Sequence, residues 1–124
     1  MHELSIARSV VERAGEVARE HGAARVVAVR VRVGELSGVV AGALLFAFEA
    51  ARAGTLAEAA RLDVEEVPAR ARCTSCRAGF SLGSPPSLCC PACARPAADV
   101  VSGRELEIAA VELAEPQDVL EGAS

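Results

Sequence analysis

Residues 26–34, with the sequence VVAVRVRVG, decide the fold class of this chain. Valine occupies every second position, and arginine occupies the alternate positions in the second half of the stretch. Successive side chains of a strand point to opposite faces, so this alternation predicts a strand with one buried face. The residues predicted on the apolar face are Val27, Val29, Val31 and Val33, and those on the polar face are Arg30 and Arg32.

The segments on either side of this strand have the periodicity of helices. Residues 4–21 place apolar side chains three and four positions apart, which is the spacing of one helix face. Gly22 follows at once, and glycine favours the left-handed conformation that ends many helices. Residues from roughly 40 to 53 are rich in Ala, Leu and Phe and predict a second helix, which Gly54 ends.

Two later segments predict further strands. Residues 61–68, RLDVEEVP, and residues 104–113, RELEIAAVEL, alternate apolar and charged residues over part of their length. A single domain with two helices and three strands predicts an α+β fold, in which a small three-stranded sheet carries two helices.

A different kind of sequence separates these last two strands. Residues 69–103 contain all five cysteines and four of the six prolines, and residues 69–104 contain five arginines and one acidic residue. This composition predicts a zinc-ribbon-like module inserted into the domain. We therefore expect an α/β domain formed by residues 1–68 plus 104–114, a module at 69–103 and a flexible tail at 115–124.

Four of the cysteines form two CxxC pairs, Cys73 with Cys76 and Cys90 with Cys93, and thirteen residues separate the pairs. Each pair presents two thiolates from one tight turn, and four thiolates around one ion suit tetrahedral Zn²⁺. A site closed by four protein ligands has no position for a substrate, so we expect structural zinc. Cys89 lacks the two-residue spacing to Cys93, and we interpret it as an incidental thiol.

The composition argues against several classes of function. The chain of 124 residues has no Lys, Trp or Tyr and a formal net charge of -4. These facts exclude lysine-dependent catalysis and argue against a nucleic-acid-binding surface. We find no candidate reaction centre and expect that the protein is not an enzyme.

The longest apolar run, residues 39–48, is too short to span a bilayer, so we expect no membrane association and a cytoplasmic location.

The first three residues, Met1-His2-Glu3, form a second set of potential metal ligands besides the cysteines. The terminal amine, the amide nitrogens and the His2 imidazole are able to converge on one ion, and such nitrogen sets favour the flattened geometries of Ni²⁺ or Cu²⁺. By spacing alone this indication is weak, because a histidine near a terminus is usually just solvated.

Six stretches distributed along the chain together resemble the HypA/HybF family, the nickel chaperones for maturation of [NiFe] hydrogenases. They are MHELS at 1–5, VRVGELSGV at 31–39, FAFE at 46–49, EEVPARARC at 65–73, CPAC at 90–93 and SGRELEI at 102–108. The resemblance covers residues 1–113 in order, and the start of the chain and the two CxxC pairs make it specific. The tail after Leu113 and the extra Cys89 fall outside the family pattern.

This resemblance implies two metals with different roles. It implies that Ni²⁺ is a transferable cargo bound by the Met1 amine, His2 and Glu3, and that structural Zn²⁺ is bound by Cys73, Cys76, Cys90 and Cys93. It also implies a nickel-binding domain with two helices and a three-stranded sheet. The expected partners are a HypB-type GTPase and the [NiFe] hydrogenase large subunit, and we expect a monomer or a weak homodimer.

Two other functions are compatible with the cysteine pattern. A zinc ribbon that binds protein or nucleic acid without transferring nickel agrees with the arginines of the module, although four thiolates around zinc would reduce its positive charge. A thiol oxidoreductase needs a reactive cysteine at the start of a helix, whereas Pro and Gly surround the pairs here.

Overall fold

The computed structural model describes residues 2–96 and 98–114, and these residues form two helices and six strands. In chain order the elements are α1 (His2–Glu20), β1 (Val26–Gly34), α2 (Ala41–Ala51), β2 (Arg61–Val67), β3 (Arg70–Cys73), β4 (Gly79–Ser81), β5 (Ala98–Ser102) and β6 (Leu106–Leu113). The predicted α+β fold is confirmed. The predicted tail, residues 115–124, lies outside the described residues.

The strands form two three-stranded sheets. The first sheet has the order β2-β1-β6, so β1 is its central strand. The second sheet has the order β4-β3-β5, and both neighbours of β3 run antiparallel to it. The sequence does not predict the second sheet, because its strands of three to five residues contain too few alternations to be distinguished from loops.

The chain divides into two compact units. One contains the described residues within Met1–Arg32, Val40–Glu65 and Glu107–Ser124, and the other contains Val33–Val39 and Glu66–Leu106. The cysteine-rich segment therefore lies in the second unit, together with a short stretch that precedes α2.

Both predicted helices are present, with slightly different ends. α1 begins at His2, two residues before the predicted start, and Gly22 beyond its end has a φ of 67°. This left-handed residue ends the helix as predicted, and the Ala23 N–H donates a hydrogen bond to the Ala18 carbonyl at 2.9 Å. α2 is shorter than predicted at both ends. Neither helix, among the residues described, has the length and apolar character that crossing a bilayer requires.

The predicted strand at residues 26–34 is observed as β1, and its apolar face is buried. The buried valines of that face are Val29, Val31 and Val33, while Arg30 is exposed. Val26 and Ala28, on the arginine face, are buried as well. The alternation also does not encode one contact of this strand: the Val26 N–H donates to the Leu56 carbonyl at 2.9 Å, so the chain after α2 lies against the start of β1.

Two glycines allow close backbone contacts in the second unit. A Cβ atom on Gly34 would lie 2.1 Å from the Gly103 carbonyl oxygen, and one on Gly103 would lie 2.6 Å from the Ala69 Cα. Backbone atoms cannot rotate away as a side chain does. We expect Gly34→Ala to lower the free energy of unfolding of this unit by about 1–3 kcal/mol through overpacking.

Urea denaturation followed by circular dichroism measures this loss. Gly42→Ala is the matched control, because Gly42 lies in α2 with nothing within 4 Å of its Cβ position. Alanine there is expected to maintain or slightly raise stability. An unchanged urea midpoint for Gly34→Ala would contradict the close contact between Gly34 and Gly103.

Candidate metal centre

Each CxxC pair closes a tight turn with the same backbone hydrogen bond. In the first turn the Arg77 N–H donates to the Cys73 carbonyl at 2.9 Å, and in the second the Ala94 N–H donates to the Cys90 carbonyl at 2.7 Å. The donor residues have φ angles of 65° and 62°, in the left-handed region that non-glycine residues rarely occupy. The two turns therefore share one geometry.

The two turns bring all four sulfurs together. Every pair of Sγ atoms lies within 4.8 Å, and the separations are 3.5 Å for Cys73–Cys93 and 3.6 Å for Cys76–Cys90. Zn–S bonds of about 2.3 Å in a tetrahedron place sulfurs about 3.8 Å apart. The thiols are free rather than joined in disulfides. The geometry therefore fits one tetrahedral Zn²⁺ with little adjustment.

The interior of the second unit lies against this cluster. Cys73 and Cys90 are buried, Cys93 is half-buried and Cys76 is exposed. Cys73 and Cys90 belong to the hydrophobic core of the second unit, which also contains Ala69, Ala71, Phe80 and Leu82. Cys89 is exposed and is not part of the four-sulfur group, as expected for an incidental thiol.

The predicted nickel-binding residues lie at the start of α1. The His2 side chain is 60% exposed, the Glu3 side chain is 13% exposed, and His2 Nε2 lies 3.7 Å from Glu3 Oε2. Met1, whose amine is the third predicted ligand, lies outside the described residues. Apart from the four cysteines, the part of the chain that the structure describes contains no group of three or more His, Cys, Asp or Glu side chains with metal-binding spacing.

Sequence analysis missed one contact of Glu3. The Val40 N–H, at the start of α2, donates to Glu3 Oε2 at 3.3 Å, and Val40 supplies no capping side chain of its own. This N–H and the backbone N–H of Glu3 itself hold the pKa of the Glu3 carboxyl below its ordinary value, and the adjacent His2 contributes. The carboxylate beside His2 is therefore charged and oriented by a backbone group 37 residues away.

Comparison with known proteins assigns the family. The family model described as "Hydrogenase/urease nickel incorporation, metallochaperone, hypA" matches residues 1–113. This chain belongs to the HypA family. The predicted family membership is thereby confirmed.

Individual members of the HypA family match nearly the whole chain. The "Hydrogenase maturation factor HypA" of Streptomyces avermitilis is 48% identical over 112 residues, which cover 90% of this chain and 86% of that protein. The protein of the same name from a Roseiflexus species is 49% identical over 112 residues, which cover 90% and 91%.

Solved HypA structures share the fold. The structure titled "Solution structure of HypA protein" matches with a TM-score of 0.70 at 24% identity and covers 92% of this chain and 97% of that one. The nickel metallochaperone HypA from Helicobacter pylori matches with a TM-score of 0.62 at 26% identity, covering 91% and 97%.

The four thiols of this HypA-family chain have different proton affinities. The backbone N–H of Cys76 donates to the Cys73 sulfur at 3.5 Å and, with the N–H of Ser75 and the neighbouring thiols, lowers the pKa of Cys73 to about 6 against the opposing effect of burial. The Arg95 N–H lowers the pKa of Cys93, but burial and the neighbouring thiols outweigh it and raise that pKa to about 11. Of the two thiols, Cys73 is therefore the one more readily converted to the thiolate that binds a metal.

Zinc retention should therefore depend on pH. A Cys73 pKa lowered from 9.0 to about 6 stabilises the folded site in full above pH 9.0, and this contribution is lost progressively as the pH falls to about 6. Thiols must lose their protons to bind zinc, so we expect zinc content after dialysis to be complete at neutral pH and to fall as the pH is lowered below about 6. Zinc content that does not change on acidification would contradict thiolate ligation.

Proposed function

We propose that this chain is a nickel metallochaperone, which binds Ni²⁺ at its N-terminus and delivers it during maturation of [NiFe] hydrogenase. The observation that carries the proposal is the HypA family match from residue 1 to residue 113, which includes the Met1-His2-Glu3 start. Exposure of the His2 imidazole supports it, because a carrier must present its cargo to a receiving protein.

The position of His2 and Glu3 at the start of α1 suits nickel binding. We propose the Met1 amine, His2 and Glu3 as the nickel-binding residues. The first four N–H groups of a helix have no carbonyl partner within that helix. Because α1 begins at His2, the amide nitrogens of residues 2 and 3 are able to bind Ni²⁺ without breaking a helical hydrogen bond.

We propose that the four-cysteine site has a different role, as a holder of structural Zn²⁺. Cys73, Cys76, Cys90 and Cys93 supply four thiolates at suitable separations, and two of them belong to the core of their unit. In this proposal residues 69–103 are the zinc module and residues 1–68 plus 104–114 are the nickel-binding domain. The bound zinc supplies folding energy, and every ligand comes from this chain.

With nickel as cargo and zinc as a structural metal, the protein is a carrier rather than an enzyme. We propose that it works in the cytoplasm as a monomer or a weak homodimer. Its proposed partners are a HypB-type GTPase and the [NiFe] hydrogenase large subunit, since the relatives described above are hydrogenase maturation factors.

Metal analysis of untagged protein with its native start tests the proposal. We expect one tightly held zinc ion per chain as purified and additional uptake of Ni²⁺ when it is supplied. Zinc content that stays unchanged while nickel binds and leaves would show two separate sites. Protein that takes up no Ni²⁺ would overturn the chaperone function and favour a zinc module with only a binding role.

A further inference from the structure

Helix α2 has an unusual composition for a surface helix. Of its eleven residues, AGALLFAFEAA, only Glu49 is charged. A helix that is apolar on all sides is normally covered on all sides, whereas a surface helix has a charged outer face. α1 follows that rule, because its exposed positions include Arg8, Glu12, Arg13, Glu16 and Glu20.

The outer face of α2 is exposed and, apart from Glu49, apolar. Phe46 is 78% exposed and Leu45 is 41% exposed, and Val40 just before the helix is 63% exposed. The other exposed positions of this face are small: Gly42, Ala43 and Ala50. A large aromatic side chain that projects from a smooth surface is the usual form of an energetic anchor in a protein interface.

A groove beside Leu45 extends this surface. The groove has a volume of about 340 Å³, and its apolar lining includes Leu45, Phe48 and Leu62. Glu49, Arg52 and Arg61 line the same groove, and Arg61 pairs with the Asp63 carboxylate at 3.0 Å. Arg52 is half-buried and donates from Nη1 to the Ala60 carbonyl at 2.6 Å, and among the described residues it pairs with no carboxylate. The groove therefore offers an apolar floor and a cation without an anionic partner.

The surface lies close to the proposed nickel site. The Glu3 carboxylate contacts the Val40 N–H, so His2 lies near the start of α2. Phe46 is six residues further along, about 9 Å at 1.5 Å per residue. A protein that covers Phe46 is therefore within reach of the His2 imidazole and can bring its own metal ligands to the cargo.

The size of the surface argues against a permanent dimer. A helix of eleven residues is about 16 Å long and about 10 Å wide. Stable interfaces bury about 800 Å² on each partner, several times the footprint of this face. A surface this small suits a short-lived contact, which is what transfer of an ion between two proteins requires.

We propose that the α2 docking surface, formed by Leu45, Phe46 and the groove with Arg52 and Arg61, binds the protein that exchanges nickel with this chain. The segment bound is amphipathic: an apolar side chain enters the groove and a neighbouring carboxylate pairs with Arg52. This inference rests on the proposed chaperone function, because that function supplies the need for a partner beside His2.

Titration calorimetry with the purified HypB-type GTPase and with the hydrogenase large subunit tests the surface. The full chain is compared with Phe46→Arg, and with Arg61→Glu as a second variant, which replaces a positive charge of the groove with a negative one and removes the ion pair with Asp63. We expect Phe46→Arg to weaken binding to at least one of these proteins about tenfold or more. Val101→Arg is the matched control, because Val101 is 56% exposed but lies on β5. It should bind as the unaltered chain does.

The same samples separate this inference from the proposed function. Both substituted side chains are exposed, so zinc content, helical circular dichroism and nickel stoichiometry should be unchanged. A nickel-loaded Phe46→Arg chain that binds both proteins with unaltered affinity would overturn the docking surface alone, as would an unaltered chain that binds neither. Sedimentation of the unaltered chain as a dimer that Phe46→Arg dissociates would assign the face to a second copy. An unaltered chain that binds no nickel rejects the proposed function itself.

Discussion

Replacing Cys90 with serine is expected to abolish zinc retention and unfold the second unit. Cys90 is 1% exposed, and its sulfur lies 3.6 Å from the sulfur of Cys76. A serine hydroxyl is a poor substitute for a thiolate, and three remaining thiolates do not close a tetrahedral site. Structural zinc contributes on the order of 10–16 kcal/mol to folding of small modules. The apolar residues of this unit are too few to replace that contribution.

Cys89→Ser is the matched control for this experiment. Cys89 is adjacent in sequence, but its side chain is exposed and outside the four-sulfur group. We expect it to retain zinc and the cobalt-substituted thiolate absorption of the unaltered chain, while Cys90→Ser loses both and becomes sensitive to limited proteolysis. Equal zinc retention by the two variants would show that the cysteine cluster does not hold the metal as proposed.

Replacing His2 with alanine is expected to remove nickel binding while zinc content and fold are maintained. The His2 side chain is 60% exposed, so its loss leaves no cavity in the core. It removes the imidazole from a proposed ligand set that otherwise consists of the terminal amine, backbone nitrogens and Glu3. Equilibrium dialysis with Ni²⁺ measures the change, and we expect bound nickel to fall to the background level.

His21→Ala is the control for histidine content. The His21 ring is exposed and its Nδ1 lies 2.9 Å from the Val17 carbonyl. His21 directly follows the last residue of α1, at the opposite end of the helix from His2. We expect full nickel uptake by His21→Ala, and loss of uptake when one residue is added before Met1. Nickel stoichiometry retained by His2→Ala would refute the N-terminal site.

Local patterns predicted the elements of the first unit well. The alternation at residues 29–33, the helical spacing at 4–21 and the glycine at position 22 each involve neighbours in sequence, and the structure contains the corresponding strand, helix and left-handed helix end. The third strand was predicted at 104–113 and is observed as Leu106–Leu113. Leu106 nevertheless remains 45% exposed, because β6 is an edge strand with one neighbour in its sheet.

The predictions missed features that depend on distant parts of the chain. β3, β4 and β5 are too short to have a visible period, and they form a sheet because they pair with one another. The hydrogen bond from the Val26 N–H to the Leu56 carbonyl joins β1 to the segment after α2, and the contact between Glu3 and Val40 spans 37 residues. No periodicity in the sequence encodes such contacts.

The amino-acid sequence by itself determined the fold class, the family and the cysteines able to hold a metal. These properties depend on the spacing of residue types over short stretches of the chain. Side chains of a strand return to the same face every two residues and those of a helix about every 3.6 residues, and a CxxC turn holds its two sulfurs together. Only the tertiary structure decided that four sulfurs from two distant turns approach within 4.8 Å, that Glu3 meets the start of α2, and that Phe46 faces solvent. The physical reason is that burial and contact between distant residues depend on the path of the whole chain.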